Sequence, residues 1–177
     1  MSMARVVLYI AASLDGYIAR RDGGLDWLPV PGAAEDYGYG KFIAGIDVLV
    51  MGRKTYEITR SFGAWPYAGR RTVVFSRTTP SAPMAGVEFT RRGVGEVVEE
   101  LRNQSQKDIW FVGGGELVQA GFAGGLIDDI ILTLVPVILG EGMPLFLRQE
   151  KTIPLRLRSS QAFSDGLVQL SYTVGRR

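Results

Sequence analysis

Three stretches of this chain end a short apolar run in groups suited to holding an anion. They are VLVMGRKTYE (Val48 to Glu57), TVVFSR (Thr72 to Arg77) and IWFVGGGELV (Ile109 to Val118). In the first, Gly52 closes a strand-like run and Arg53, Lys54 and Thr55 occupy what reads as the first turn of a helix. Cations there oppose the helix macrodipole by about 0.3–1 kcal/mol each, and a bound anion would reverse that sign. In the third, Gly113, Gly114 and Gly115 stand between a buried strand and a helix start at Glu116-Leu117. A glycine costs roughly 0.5–1 kcal/mol relative to alanine inside regular structure, so three together suit a backbone of unusual dihedrals or a close approach. Exposed N–H groups and the positive end of a helix could meet a phosphate there, although a tight turn without ligand would use the same residues. The second stretch offers Ser76 and Arg77 at a strand's carboxyl end, where ligands of open α/β sheets sit. The dinucleotide motif G-x-G-x-x-G fails at Val118, and no Gly-Lys-Ser/Thr of a P-loop follows. Taken together, the three stretches suit a dinucleotide carrying a 2′-phosphate.

The elements that would position these groups follow from periodicity. Val6–Ala11, Asp47–Met51, Thr72–Phe75, Val87–Thr90, Asp108–Val112 and Ile130–Val135 are short, rich in β-branched residues and bounded by turn residues, as buried strands are. Ala33–Ala44, Arg53–Ser61, Val94–Asn103 and Glu116–Phe122 have the length and composition of helices, the third with Val94, Val97, Val98 and Leu101 on one face. This alternation predicts an α/β fold with a mostly parallel sheet. Leu155–Phe163 and Leu167–Val174, joined by Ser164-Asp165-Gly166, predict a C-terminal antiparallel hairpin. With 177 residues and no linker or repeat, one domain is expected.

Composition narrows the chemistry. The chain has no cysteine and no histidine, which removes Cys/His zinc sites, disulfides and Ser-His-Asp or Cys-His nucleophiles. No metal site is expected, and a cofactor that carries the reaction asks least of such a protein. Net charge is +2, and the basic pairs Arg20-Arg21, Arg70-Arg71, Arg91-Arg92 and Arg176-Arg177 are scattered, so nucleic acid is not an expected partner. A single Arg5 before the first apolar run and Asp15-Gly16 within it argue against a signal peptide. No run approaches the ~20 apolar residues of a membrane span. A soluble, cytoplasmic protein is expected.

The three stretches, in this order and at these separations, resemble the dihydrofolate reductase superfold. IAASLDGYIA near the start and LVPVILGEGMPLF (Leu134 to Phe146) are similar to the riboflavin-biosynthesis reductase branch, the RibD C-terminal type, and its stand-alone relatives. The resemblance implies a three-layer fold, with helices on both faces of the sheet, and an NADPH-dependent reductase. Gly52, Arg53, Lys54 and Thr55 would hold the pyrophosphate from one helix start, and Val112, Gly113, Gly114, Gly115, Glu116 and Leu117 from the other. Ser76 and Arg77 would contact the adenosine 2′-phosphate, while Ala11, Ala12 and Ile18 would line the nicotinamide. The resemblance also implies a cis peptide between Gly113 and Gly114, and a homodimer.

A hydride would pass to a C=N or C=O carbon, with water or one carboxylate delivering the proton. Asp15, Asp26, Glu35 and Asp36 are the candidates. Asp15 and Asp26 are taken as the catalytic pair, with Asp15 equally readable as a turn residue before Gly16. Trp27 and Asp36 are expected on the substrate side, Trp27 either stacking on a substrate ring or capping the core. The substrate would be a pyrimidine of the 5-amino-6-(5-phosphoribosylamino)uracil kind. Dihydrofolate, another pteridine or a carbonyl compound, or NADPH binding without turnover, are the alternatives.

Overall fold

The sheet is built outward from β1 (Val6–Ser13), whose VVLYIAAS sequence has no charge to place in water. The computed structural model describes residues 3–29, 36–80 and 82–175. In chain order there follow β2 (Tyr17–Ala19), α1 (Tyr39–Ala44), β3 (Ile46–Gly52), α2 (Arg53–Ser61), β4 (Arg71–Phe75) and β5 (Val87–Thr90). The remainder is α3 (Val94–Gln104), β6 (Asp108–Gly113), α4 (Gly115–Ala123), β7 (Asp129–Val135), β8 (Met143–Pro144), β9 (Leu155–Ala162) and β10 (Val168–Val174). Eight strands form one sheet in the order β5-β4-β3-β6-β1-β7-β10-β9. Pairing is parallel from β5 to β7 and antiparallel for β7-β10 and β10-β9.

The central strands are buried on both faces, as strands of parallel sheets are when helices cover each side. One face of the sheet packs Leu8, Val50, Val73 and Phe111 against Val98 and Leu101 of α3 and Val118 of α4. The other packs Leu49, Met51, Val74 and Trp110 around Tyr56 of α2 and Trp65. Each fully buried side chain of this size contributes about 1.5–3 kcal/mol, so the central strands are fixed firmly and their carboxyl ends form a rigid rim.

All six expected core strands and the C-terminal hairpin are present, with ends within two residues of those read from the sequence. Two differences concern the region beside the cleft. The helix expected over Ala33–Ala44 begins at Tyr39, after a turn at 36–38; residues 33–35, with the candidate Glu35, lie outside the described residues. β2 and β8 form a separate two-stranded sheet that was not anticipated, because strands of three and two residues are too short to show a periodicity. Among the described residues, no helix is long and apolar enough to cross a membrane.

Candidate functional site

A cleft of about 1280 Å³ runs along the carboxyl ends of β1, β3, β4 and β6. Two helix starts meet at its floor. Gly52 precedes α2 and Gly114 precedes α4, and neither helix has a side-chain cap on its first N–H groups. The two backbones nearly touch, for a Cβ built on Gly114 would lie 3.5 Å from Thr55 Oγ1 and 3.7 Å from Gly52 Cα. Gly113 and Gly114 adopt φ of 149° and 105°, a region open to glycine and closed to most side chains. The peptide between them is trans, which corrects the expectation of a cis bond. Two successive positive φ values turn the chain sharply enough to open α4 toward the cleft without isomerising the bond.

The walls concentrate positive charge. Arg21, Arg53, Lys54, Arg77, Arg91 and Arg92 line the cleft against a single carboxylate, Glu116. Arg21 pairs with Glu141 at 2.9 Å, Arg53 with Glu57 at 2.6 Å, and Arg92 with both Glu96 and Glu100 at 2.7 Å. Among the described residues, Lys54, Arg77 and Arg91 have no acidic partner. Arg53 also donates to Thr78 O at 2.9 Å and to Thr78 Oγ1 at 2.8 Å, tying α2 to the loop after β4. Ser76 completes that loop: its hydroxyl donates to Thr78 O at 2.6 Å and accepts from Thr78 N at 3.2 Å. The loop is thereby fixed with the Arg77 side chain exposed at the cleft. Arg91 and Arg92 were read in the sequence only as one of several scattered basic pairs; the parallel pairing of β4 and β5 sets them beside Arg77's strand end.

The expected site residues divide cleanly. Ala11, Ile18, Gly52, Arg53, Lys54, Thr55, Ser76, Arg77, Val112 and the Gly113–Leu117 run all line the cleft. Ala12 does not; it is buried, on the opposite side of β1 from Ala11 as alternation along a strand requires. Asp15 and Asp26 lie outside the wall. Asp15 accepts from Ser13 Oγ at 2.6 Å and from the N–H groups of Leu139 and Gly140 at 3.1 and 2.8 Å, and these bonds, the Ser13 hydroxyl foremost, hold its carboxyl below the usual range. Asp26 forms a two-pronged pair with Arg20 at 2.7 and 2.9 Å, which lowers it likewise. Both carboxylates are occupied in pinning loops, so the geometry gives neither a proton to deliver to the cleft. Asp36 accepts from Gly38 N at 2.8 Å and Gly40 N at 3.1 Å, organising the start of α1 instead of facing a substrate. Trp27 is half-buried and is not part of the cleft wall.

What the sequence reading missed is aromatic. Tyr9 from β1, Tyr39 from α1, Tyr67 from the loop before β4 and Trp110 from β6 line the cleft together. Trp110 is the hub, with the rings of Tyr9, Tyr39 and Tyr67 edge-on to it at 6.1, 6.0 and 5.4 Å and its indole N–H donating to Tyr9 O at 3.0 Å. Burial disfavours the charged phenolate and pushes the pKa of all three phenols up from the ordinary tyrosine value, Tyr67 most. Tyr37, at φ 52°, anchors the chain just before Tyr39: its carbonyl accepts from Gln169 Nε2 at 3.1 Å, its hydroxyl donates to Asp165 and its ring meets Phe163 edge-on at 5.0 Å. These partners come from distant parts of the chain and leave no local signature.

Residues 4–169 match the family described as the RibD C-terminal domain. The chain belongs to that family. The uncharacterized protein YwjB of Bacillus subtilis (strain 168) is 37% identical over 169 residues, covering 95% of this chain and 97% of YwjB. A crystal structure of a putative riboflavin biosynthesis protein from Shewanella sp. PV-4 superposes with a TM-score of 0.85 at 31% identity, covering 97% of this chain and 99% of that one. The deaminase/5-amino-6-(5-phosphoribosylamino)uracil reductase of Thermotoga maritima shares the fold, at a TM-score of 0.74 and 15% identity over 98% of this chain and 57% of its own. The parallel sheet with its antiparallel C-terminal pair is the dihydrofolate reductase-like arrangement of the RibD C-terminal domain.

Proposed function

We propose that this RibD C-terminal domain protein is an NADPH-dependent reductase acting on a pyrimidine- or pteridine-type ring. The observation that carries the reading is the pair of abutting helix starts, α2 and α4, left without side-chain caps on a cleft holding six cations and one carboxylate. Uncapped N–H groups at two adjacent helix N-termini favour an anion. At Gly114 a φ of 105° disfavours any side chain, and at Gly115 a Cβ would come within 3.2 Å of Pro144 O, so the turn is left as bare backbone facing the cleft.

In this reading the backbone N–H groups of Gly52–Thr55 and Gly114–Leu117 hold the pyrophosphate. Lys54 and Arg91 add charge, and the free guanidinium of Arg77 takes the 2′-phosphate on a loop that Ser76 and Arg53 keep in shape. Ala11 and Ile18 leave room for a flat ring beside β1. NADPH, when bound, supplies hydride from its nicotinamide. With Asp15 and Asp26 committed to loops, the proton reaches the substrate from water or from a hydroxyl of the cleft.

The likeness to proteins of riboflavin biosynthesis supports the pyrimidine class as the first to try. The test is oxidation of NADPH by the purified protein with 5-amino-6-(5-phosphoribosylamino)uracil, its unphosphorylated analogue and dihydrofolate in turn. Turnover with at least one ring compound is expected. NADPH binding with no oxidation by any of them would reduce the protein to a nucleotide-binding module.

A further inference from the structure

The cleft has a direction. Its cationic end is set by Arg77 and Arg91, after β4 and β5, and its floor by the abutting starts of α2 and α4. On its other side the start of α4 meets β8, for a Cβ built on Gly115 would lie 3.2 Å from Pro144 O. A dinucleotide with its 2′-phosphate on Arg77 and its pyrophosphate across the helix starts therefore lays its nicotinamide half toward β8. The wall there is the two-stranded ribbon of β2 and β8, which contributes Ile18, Ala19, Gly142, Met143 and Pro144 beside Ala11 of β1. Strands of three and two residues do not hold each other by pairing alone. The ribbon is fastened at its base, where Asp15 joins its two limbs. One limb donates to the carboxylate from Leu139 N at 3.1 Å and Gly140 N at 2.8 Å. On the other, the fully buried Ser13 donates from Oγ to Asp15 Oδ1 at 2.6 Å and accepts at 2.9 Å from the N–H of Tyr17, the first residue of β2. Leu145 N–H donates to Gly16 O at 2.9 Å below β8. The Arg21–Glu141 pair at the ribbon's outer end is exposed on both sides, at 74% and 64%, and such pairs contribute little.

We propose that Asp15 is a positioning residue for the nicotinamide: through Ser13 and the backbone of 139–140 it fixes the β2–β8 ribbon as the wall against which that half of the cofactor lies. Asp15 itself touches neither cofactor nor substrate. Its effect is on how much of the time the wall is in place, and an apparent affinity falls in proportion to that fraction. The adenosine half of the cofactor does not meet the ribbon, because the starts of α2 and α4 lie between them. Gly142 offers an independent way to open the same ribbon. It lies so close to β2 that a Cβ there would collide with Ala19 O, a backbone atom that cannot turn aside, so a single methyl group wedges the two limbs apart. The inference rests on the reductase reading, which supplies the cofactor.

The experiment is isothermal titration of the protein with NADPH and, separately, with 2′-phospho-ADP-ribose, which carries every part of the cofactor except the nicotinamide, repeated on Asp15→Ala, Asp15→Asn and Gly142→Ala. Asp15→Ala and Gly142→Ala should each weaken NADPH about five- to tenfold, as for a wall in place roughly a tenth to a fifth of the time. Both should leave the affinity for 2′-phospho-ADP-ribose within about twofold of the parent, a contrast that a general loss of stability would not produce. Asp15→Asn, which keeps one acceptor oxygen, should fall between the parent and Asp15→Ala. If Asp15→Ala does not fold, Gly142→Ala and Asp15→Asn decide by the same contrast. Unchanged NADPH affinity in the variants, or equal weakening of both ligands, would overturn the proposal while leaving the reductase reading in place. A parent protein that binds neither ligand would overturn both.

Discussion

Arg53 and Arg77 are guanidiniums at neighbouring strand ends, and they differ in what they are free to do. Arg53 is spent on Glu57 and Thr78, so it shapes the loop; Arg77 has no ion-pair partner among the described residues and is left to a ligand. A sequence shows both as basic residues beside a predicted strand end, which is why the cationic end of the cleft was legible as a cluster while the division of labour within it was not. Asp15 illustrates the converse. An aspartate before a glycine looks alike whether it faces a ligand or its own backbone, and here it bonds Ser13 Oγ and two N–H groups of the 139–140 segment. Its carboxyl is depressed in the folded protein, so its contribution to stability is present above the ordinary carboxylate value near 3.9 and is lost as pH falls through the depressed value. Asp15→Asn should therefore flatten the acid limb of stability, measured as urea midpoints from pH 6 down to 3, and should leave the pH profile of NADPH oxidation in place. A turnover that vanishes in this variant while folding persists would return Asp15 to the catalytic role.

At the scale of elements, the strand–glycine–helix units were readable because each is local: a β-branched run, a backbone break, an amphipathic helix. β2 and β8 were not, since their pairing joins residues more than a hundred positions apart. The site depends on how closely α4 lies on the sheet. Gly121 sets that distance, for a Cβ there would come within 2.9 Å of Phe111 Cε1 and of Ile127 Cδ1. Phe111 is fully buried and cannot give way. Overpacking of this kind costs about 1–3 kcal/mol, against about 1 kcal/mol returned by alanine's better helix propensity. Gly121→Ala should lower stability by up to about 2 kcal/mol, read as a reduced urea midpoint at unchanged slope, and should also weaken NADPH binding by displacing the Gly114 cradle. An unchanged midpoint would show that α4 does not rest on this contact.

Across the whole molecule, a net charge of only +2 conceals a cleft that gathers six cations from four separate places in the chain. Tertiary structure makes that field, which the scattered basic pairs of the sequence could not reveal. The far edge of the sheet is the other large-scale feature: β9 is exposed along its length, with Leu155 and Leu157 43% and 53% exposed. Open edges invite pairing, and the homodimer expected from the family resemblance would cover this one. Light scattering should give twice the 19.4 kDa chain mass, whereas a monomer at micromolar concentration would refute the dimer. The central claim, that the uncapped helix starts and Arg77 form an NADPH site, is tested most directly by titrating the protein with NADPH and with NADH while following energy transfer from Trp27, Trp65 and Trp110 to the nicotinamide. NADPH should bind more tightly than NADH, and Arg77→Ala should erase the difference by a loss of roughly ten- to a hundred-fold, the worth of a charge-assisted hydrogen bond. Equal affinity for the two nucleotides, or no binding of either, would contradict it.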